Sequence, residues 1–290
     1  MPDTLKAYLQ LLRFPALFTA WSNILAAHLI ATGGAMNWPL LGLLIGASSA
    51  LYLGGMVLND CFDYQEDLRE RPQRPLPSGR IERRTAWSLA GGLLITGCLL
   101  AGLAGSAQLT IALLLTVTIV AYDGWLKHYA IGTLTMGACR YLNWLLGLSV
   151  LPLSLHAYLL PLPILLYITA LTLLSRSETR GGDRRAFDLA MLGIVCSALT
   201  IGLLYATHTL LQPWPVIPGL LLLFFLLRSL WNVRREMSPR LIQKTMKLLL
   251  LGIIPLDAFL VFAAGPWWGG IEVLLLLVPG YLLARVIYIT

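Results

Sequence analysis

The chain reads NDCFDYQED at 59–67 and RPQRPLPSG at 71–79. On either side of this polar stretch lies a long apolar run, at 38–58 and 87–105. A helix needs about 20 apolar residues to cross a bilayer, and both runs are close to that length. The pattern therefore predicts two membrane-spanning helices joined by a loop that is rich in acids, arginines and prolines.

The composition extends this prediction to the whole chain. Of the 290 residues, 58% are hydrophobic and 12% are charged, and the mean hydropathy is +0.76. Soluble domains carry about 25% charged residues, so a soluble protein of this size would lack the polar groups to cover its surface. The hydrophobicity also excludes a disordered chain. We expect an all-α, polytopic transmembrane bundle that forms a single domain over 1–290.

Apolar runs predict nine or ten spans around a central cavity, because the last two runs are separated only by a short turn. The runs are 14–33, 38–58, 87–105, 107–126, 132–154, 157–175, 187–207, 214–232, 247–265 and 269–289. With ten spans, the 21 Lys and Arg residues fall at the termini and in the loops of one side, apart from Arg140 inside the fifth run. Basic residues mark the cytoplasmic side. We therefore expect a multi-pass protein of the cell (inner) membrane with both termini in the cytoplasm.

Three aspartates in the acid-rich loop share one face if the helix before them continues. At 100° per residue, Asp60, Asp63 and Asp67 fall within a stripe about 60° wide, with Asn59 beside it. Carboxylate oxygens are ligands of the kind that Mg²⁺ prefers. The alternative is a solvated loop in which the acids pair with nearby arginines, namely Arg69, Arg71 and Arg74.

The basic, proline-rich run that follows favours an anion site. Pro72, Pro75 and Pro77 stiffen the backbone and prevent a helix. A stiff loop that carries Arg74 next to carboxylates is suited to gripping an anionic group, because guanidinium groups match phosphate oxygens.

The combined pattern resembles the first signature of the UbiA superfamily of intramembrane prenyltransferases. The matching residues are Asn59, Asp60, Asp63, Asp67, Arg74, Pro75, Pro77, Ser78 and Gly79. The resemblance implies that the aspartates hold Mg²⁺ against the diphosphate of an isoprenyl donor. Other landmarks of the superfamily follow in order, so the resemblance covers roughly the first seven spans.

Two of these landmarks lie around the fourth and fifth spans. Tyr122 and Lys127 match residues that help to bind the diphosphate, although Lys127 has a simpler reading as an ion-pair partner of Asp123. Arg140 and Asn143 match the helix that lines the substrate site in the superfamily. The alternative for Arg140 is a structural role in which it pairs with a buried acid.

The second signature, after the sixth span, is incomplete. Gly182-Asp183-Arg184 matches its end, but Thr179 stands where the superfamily has an aspartate, and the nearest acid is Glu178. Glu178 and Asp183 are therefore candidate ligands of a second metal ion whose existence is in question. The departure indicates a divergent branch, similar to the UbiA-like proteins called EboC.

The resemblance implies a Mg²⁺-dependent prenyltransferase whose partners are an isoprenyl diphosphate, an unidentified acceptor and the lipid bilayer, with no nucleic acid. The departing charge would be neutralised by Arg74, Lys127 and Arg184, and Tyr122 or Asp123 would take up the acceptor's proton. The alternative is a transporter or carrier of an amphipathic metabolite, which could also use ten spans, the intramembrane residues Arg140 and Asp257, and the loop rich in Arg and Asp.

Overall fold

The computed structural model describes residues 3–179, 184–236 and 238–287, and within these ranges the side chains of all residues except 176–179, 239, 240 and 286. Every regular element in the described ranges is a helix. The α-helices are α1 (Asp3–Leu11), α2 (Phe18–Thr32), α3 (Trp38–Phe62), α4 (Tyr64–Glu70), α5 (Arg83–Ala104), α6 (Ser106–Gly124), α7 (Ile131–Leu148), α8 (Leu155–Leu159), α9 (Leu162–Thr179), α10 (Arg184–Ala206), α11 (Val216–Glu236), α12 (Pro239–Leu251), α13 (Ile253–Ala264), α14 (Trp267–Leu275) and α15 (Leu277–Val286). Two 3₁₀ turns, Phe14–Leu17 and Leu126–His128, precede α2 and α7.

The prediction of an all-α, multi-pass membrane protein is confirmed. Among the described residues, nine helical stretches are long and apolar enough to cross a membrane. Three of them combine two consecutive helices: α8 with α9, α12 with α13, and α14 with α15. Helix α7 is less apolar because it carries Arg140 and Asn143, and it does not belong to these nine.

The packing of α7 nevertheless indicates a tenth crossing. Its contacts advance in step along α2: Arg140 bonds to Thr19, Asn143 to the carbonyl of Ala20, and Gly147 packs against Ile24. The two helices therefore run parallel and side by side. Because α2 is itself a span, α7 crosses the membrane in the same direction. Consecutive spans alternate in direction, so this agrees with α2 as the first span and α7 as the fifth.

Two predicted boundaries in this part of the chain differ from the structure. The predicted fifth span, 132–154, ends earlier, because α7 stops at Leu148. The predicted ninth span, 247–265, begins earlier, because α12 starts at Pro239. Proline is favoured in the first turn of a helix, where its missing N–H has no partner to lose. Lys244 therefore lies on a helix rather than in the predicted loop.

Helix α2 lies at the centre of the bundle, in contact with α3, α7, α13 and α14. Two glycines of α7 let its neighbours approach closely. A Cβ atom at Gly137 would lie 2.5 Å from the carbonyl oxygen of Leu165 on α9, and one at Gly147 would lie 2.6 Å from the Cβ of Ala27 on α2. Small residues are used in this way where membrane helices meet. The tight packing fixes the polar face of α7 against α2.

Candidate active site

A cavity of about 270 Å³ lies between the helices of the bundle. Its walls are mainly apolar and include Leu51, Ile119, Met136, Leu171 and Leu250. Polar and charged side chains stand at its two ends. A cavity of this kind can take an apolar chain and fix polar groups where that chain ends.

Next to one end of the cavity lie six charged side chains that we call the charged cap: Arg13, Asp60, Asp63, Asp67, Arg74 and Lys127. Of these, Arg13 lines the cavity itself. Arg13 Nη2 donates to Asp60 Oδ1 at 2.9 Å. Arg74 Nη1 donates to Asp67 Oδ2 at 2.8 Å and lies 3.6 Å from Asp60 Oδ1. Lys127 Nζ pairs with Asp63 Oδ1. The three formal negative charges of the cap thus face three positive ones.

The predicted stripe of aspartates survives a bend in the helix. Helix α3 ends at Phe62, Asp63 links it to α4, and the Asp63 and Asp67 amides still donate to the carbonyls four residues earlier. The helical spacing is thereby kept across the bend. Asp60 and Asp67 are buried, whereas Glu66 is exposed. The acids of the cap are therefore the three of the stripe, and Glu66 points away from it.

The proline-rich run folds into a compact turn that presents Arg74. Leu76 and Ile81 are buried and anchor the turn, and the Ile81 amide donates to the carbonyl of Pro75. Gly79 has a φ of +72°, a conformation that favours glycine. The turn leaves the Arg74 side chain directed at Asp60 and Asp67.

Asn59 and Asp123 connect the cap with the cavity. Asn59 Nδ2 donates to Asp123 Oδ1 at 2.8 Å, and both residues line the cavity together with Tyr122. Helix α6 ends at Gly124, so Asp123 and Lys127 do not share one continuous α-helix. Lys127 forms an ion pair with Asp63, across the site.

At the other end of the cavity lies a set of hydrogen-bonded side chains that we call the buried polar cluster: Thr19, Ser22, Asn23, Ser48, Arg140, Asn143, Trp144 and Asp257. Arg140 Nη2 donates to Thr19 Oγ1 at 2.8 Å, and its Nη1 donates to Asn23 Oδ1 at 3.3 Å. Asn143 Oδ1 accepts from Ser48 Oγ at 2.7 Å. Arg140 and Asn143 both line the cavity, where their predicted role in substrate binding would place them.

Arg140 does not form the direct ion pair that was one alternative for it. Within the described ranges, no carboxylate lies within salt-bridge distance of its guanidinium group. The group instead bonds to neutral oxygens and lies over the ring of Tyr52, 5.1 Å from the ring centroid.

The second motif is only partly visible. Asp183 lies outside the described residues, and so does the side chain of Glu178. Ser175, near the end of α9, lines the same cavity as Asn59, and Arg184 begins α10 with an exposed side chain. The helices that flank the second motif therefore end on the side of the charged cap.

Comparison with known proteins identifies the family. The model of the UbiA prenyltransferase family matches residues 20–253, which include five of the six cap residues, without Arg13, and both Arg140 and Asn143. The chain belongs to the UbiA prenyltransferase family. The predicted resemblance to this family is thereby confirmed, whereas its assignment to an EboC-like branch stays a prediction.

Relatives within the UbiA family match part of the chain. Digeranylgeranylglyceryl phosphate synthase of Methanothrix thermoacetophila is 38% identical over 141 residues, which are 47% of this chain and 50% of the relative. The synthase of Metallosphaera sedula is 36% identical over 140 residues, 47% of this chain and 48% of the relative. The chain spans about half the length of these curated relatives.

Solved structures share the UbiA fold. A digeranylgeranylglyceryl phosphate synthase structure covers 93% of this chain and 100% of its own, with a TM-score of 0.68 and 23% identity. A UbiA homolog from Archaeoglobus fulgidus bound to GPP and Mg²⁺ has a TM-score of 0.53 at 16% identity, and covers 96% of this chain and 99% of its own. At these identities the likeness is one of fold.

The charged cap has the donor chemistry for Mg²⁺, but its carboxylates are held by cations. Burial raises the pKa of the Asp67 carboxyl; Arg74 opposes that rise, and the nearby charges of Asp60 and Asp63 add to it. No three His, Cys, Asp or Glu side chains form a ready metal site in the described part of the chain. The hard oxygens of the three aspartates fit Mg²⁺, which would compete with Arg74 and Lys127 for them.

Arg13 is a cap residue that sequence reasoning missed. It was one of several basic residues near the membrane, and nothing in its local sequence distinguishes it from them. In the structure it has a left-handed backbone conformation, with φ 46° and ψ 44°, and lines the cavity. Such a conformation costs a non-glycine residue about 1 kcal/mol or more and is often found at functional sites. Here it directs the guanidinium group onto Asp60 and Asn59.

Proposed function

We propose that this protein is a Mg²⁺-dependent prenyltransferase that moves an isoprenyl group from an isoprenyl diphosphate to an acceptor within the membrane. The observation that carries the proposal is the charged cap at the mouth of an apolar cavity. A cavity with apolar walls suits the isoprenyl chain, and the cations of the cap suit its diphosphate. Membership of the UbiA prenyltransferase family supports the same reaction.

The ion pairs of the cap suggest how donor and metal bind together. Arg13, Arg74 and Lys127 now neutralise Asp60, Asp63 and Asp67. The incoming diphosphate would take over the three cations, and the freed aspartates would hold Mg²⁺. Diphosphate alone would leave the aspartates without their cations, and Mg²⁺ alone would leave the cations without their aspartates. Because uncompensated buried charge is costly, donor and metal should bind cooperatively.

The reaction breaks the bond between the first carbon of the isoprenyl group and the diphosphate oxygen. The diphosphate leaves with the electron pair, and Arg13, Arg74 and Lys127 stabilise the charge that develops on it. Bound Mg²⁺ would supply further electrostatic stabilisation of that charge. A lone pair of the acceptor forms the new bond to the carbon, and the acceptor releases its proton to Tyr122 or Asp123 at the cavity wall. The apolar walls limit access of water to the reacting carbon.

The same arrangement suggests where the other predicted residues act. Arg140 and Asn143 would bind a polar group at the far end of the cavity. Glu178 and Asp183 would hold a second metal ion, and Arg184 would add positive charge beside it. The distribution of Lys and Arg residues among the loops supports a cap that faces the cytoplasm, with both termini on that side, in the cell (inner) membrane.

The acceptor is proposed at the level of its chemical class. The relatives that this chain matches over about half of their length are named digeranylgeranylglyceryl phosphate synthases. Their names favour a glyceryl phosphate lipid as acceptor over an aromatic acid. An amphipathic acceptor of this kind would enter from the bilayer with its polar head near one end of the cavity.

A product assay tests the proposal. The purified protein in lipid nanodiscs is given geranyl or geranylgeranyl diphosphate, Mg²⁺ and a panel of acceptors that includes a geranylgeranyl glyceryl phosphate and an aromatic acid. Mass spectrometry should detect one prenylated acceptor for each diphosphate released, and EDTA should stop both. Binding of donor without any product or diphosphate release, across the whole panel, would favour a carrier instead.

A further inference from the structure

Asp257 is a fully buried acid on α13, inside the membrane-spanning part of the bundle. Trp144 Nε1 donates to its Oδ1 at 3.0 Å, and Asn23 Nδ2 donates to its Oδ2 at 2.8 Å. Ser22 Oγ lies 2.5 Å from Oδ2 and 3.0 Å from the carbonyl oxygen of Thr19, and its single proton serves one of these two acceptors. The contacts from Trp144 and Asn23 are N–H donors aimed at the carboxyl oxygens. Hydrogen bonds of this kind favour the ionised carboxylate, whereas burial opposes ionisation.

Asn23 links this carboxylate with the cavity. Its amide nitrogen is bound to Asp257, which turns its amide oxygen towards α7. That oxygen accepts from Arg140 Nη1 at 3.3 Å and from Asn143 Nδ2 at 3.4 Å. One asparagine thus stands between the buried negative charge of Asp257 and the positive charge of Arg140.

An intramembrane guanidinium group needs a compensating charge nearby. A carboxylate in direct contact would supply it, but would also occupy the guanidinium donors that face the cavity. Compensation through Asn23 avoids this, because the negative charge stays close while the guanidinium group still lines the cavity. Burying the charges of Asp257 and Arg140 removes both from water, which is unfavourable. The arrangement stabilises the protein only if both charges are present.

We infer that Asp257 is a positioning residue that acts through Asn23 to hold Arg140, which would bind a polar group of the acceptor at the end of the cavity away from the charged cap. The inference rests on the proposed function only for the identity of the ligand. It assigns to Asp257 a share in acceptor binding without contact with the acceptor.

A kinetic double-mutant cycle measures this coupling. Asp257→Asn, which keeps the size of the side chain, should raise the KM for the acceptor about 10-fold and leave kcat and the KM for the donor within about threefold. In an Arg140→Gln background, Asp257→Asn should add less than a twofold change in acceptor KM, because the residue on which it acts is gone. Equal effects in the two backgrounds would overturn the inference. Ser197→Ala is the control, because it removes a buried hydrogen bond to the carbonyl of Pro163 on another side of the bundle.

Thermal unfolding in detergent gives a second test that needs no activity. Asp257→Asn should lower the unfolding temperature of the wild type, because it leaves Arg140 without a compensating charge. The same substitution should lower it much less in the Arg140→Gln background. If the two losses add, Asp257 and Arg140 are not coupled and the inference fails. A coupled cycle in a protein that transfers no isoprenyl group would instead contradict the proposed function and leave the coupling intact.

Discussion

Asp63 is the acid of the charged cap that pairs with Lys127, 64 positions further along the chain. It also sits at the bend between α3 and α4, between the other two aspartates of the stripe. If metal and diphosphate replace the internal ion pairs of the cap, their binding therefore depends strongly on the negative charge of Asp63. Glu66 lies three residues further along the chain and is exposed, which makes it a natural comparison.

Asp63→Asn should lower kcat/KM for the isoprenyl diphosphate about 100-fold or more, which is the usual scale for the loss of one electrostatic contact in an active site. The measurement is the rate of diphosphate release at increasing Mg²⁺ concentrations. Glu66→Gln should change kcat/KM less than twofold. Similar losses in the two variants would show that the general acidity of the loop matters, rather than the position of Asp63.

Arg13→Gln should raise the KM for the donor about 10- to 100-fold, because a hydrogen bond to a charged group is worth about 1.5–3 kcal/mol. Initial rates over a range of donor concentrations give this value. Lys6→Gln, which removes an exposed cation from α1, serves as the control. An unchanged KM in Arg13→Gln would mean that Arg13 only neutralises Asp60.

At the scale of the helices, α7 fixes the polar end of the cavity against α2. Gly147 has the Cβ of Ala27 and the backbone of Ile24 around the position where its own Cβ would lie. Gly91 on α5 is also helical but has open space at that position. The two glycines therefore separate the effect of close packing from the effect of helix propensity.

Gly147→Ala should destabilise the protein by about 1–3 kcal/mol, because the added methyl group forces α2 and α7 apart. Gly91→Ala should be neutral or stabilise by up to about 1 kcal/mol, since alanine is the better helix former. Unfolding by denaturant in detergent compares the two variants. A loss in Gly91→Ala as large as that in Gly147→Ala would contradict the packing described for α7.

The apolar runs predicted the helices, and the spacing of the aspartates predicted much of the charged cap. Both signals are local, because hydrophobic length and helical periodicity act within one stretch of chain. Arg13 was missed because its contact with Asp60 joins residues 47 positions apart. The link from Asp257 through Asn23 to Arg140 was missed for the same reason. Glu178 and Asp183 stay predictions.

At the scale of the whole molecule, the helices of the bundle place the charged cap at one end and α8 at the other. The uneven distribution of basic residues predicts that the cap end faces the cytoplasm. Ser78, in the proline-rich turn, and His156, on α8, are exposed at opposite ends.

In a variant whose four cysteines are replaced, Ser78→Cys should react with a membrane-impermeant maleimide only after cell lysis. His156→Cys should react in cells whose outer membrane has been permeabilised while the inner membrane stays intact. Gel shift of the labelled protein reports both reactions. The reverse pattern would show that the bundle is inverted, and labelling of both sites in intact cells would contradict the placement of these residues at opposite ends.

In the proposed reaction, the charged cap exchanges its internal ion pairs for Mg²⁺ and an isoprenyl diphosphate. The most direct measurement is calorimetric titration of geranylgeranyl diphosphate into the purified protein, first with Mg²⁺ and then with EDTA. The exchange predicts binding about 100-fold tighter with Mg²⁺, or about 2.7 kcal/mol of coupling. It also predicts that Asp63→Asn removes this difference. Equal affinity in Mg²⁺ and EDTA, or a metal effect that persists in Asp63→Asn, would contradict the account.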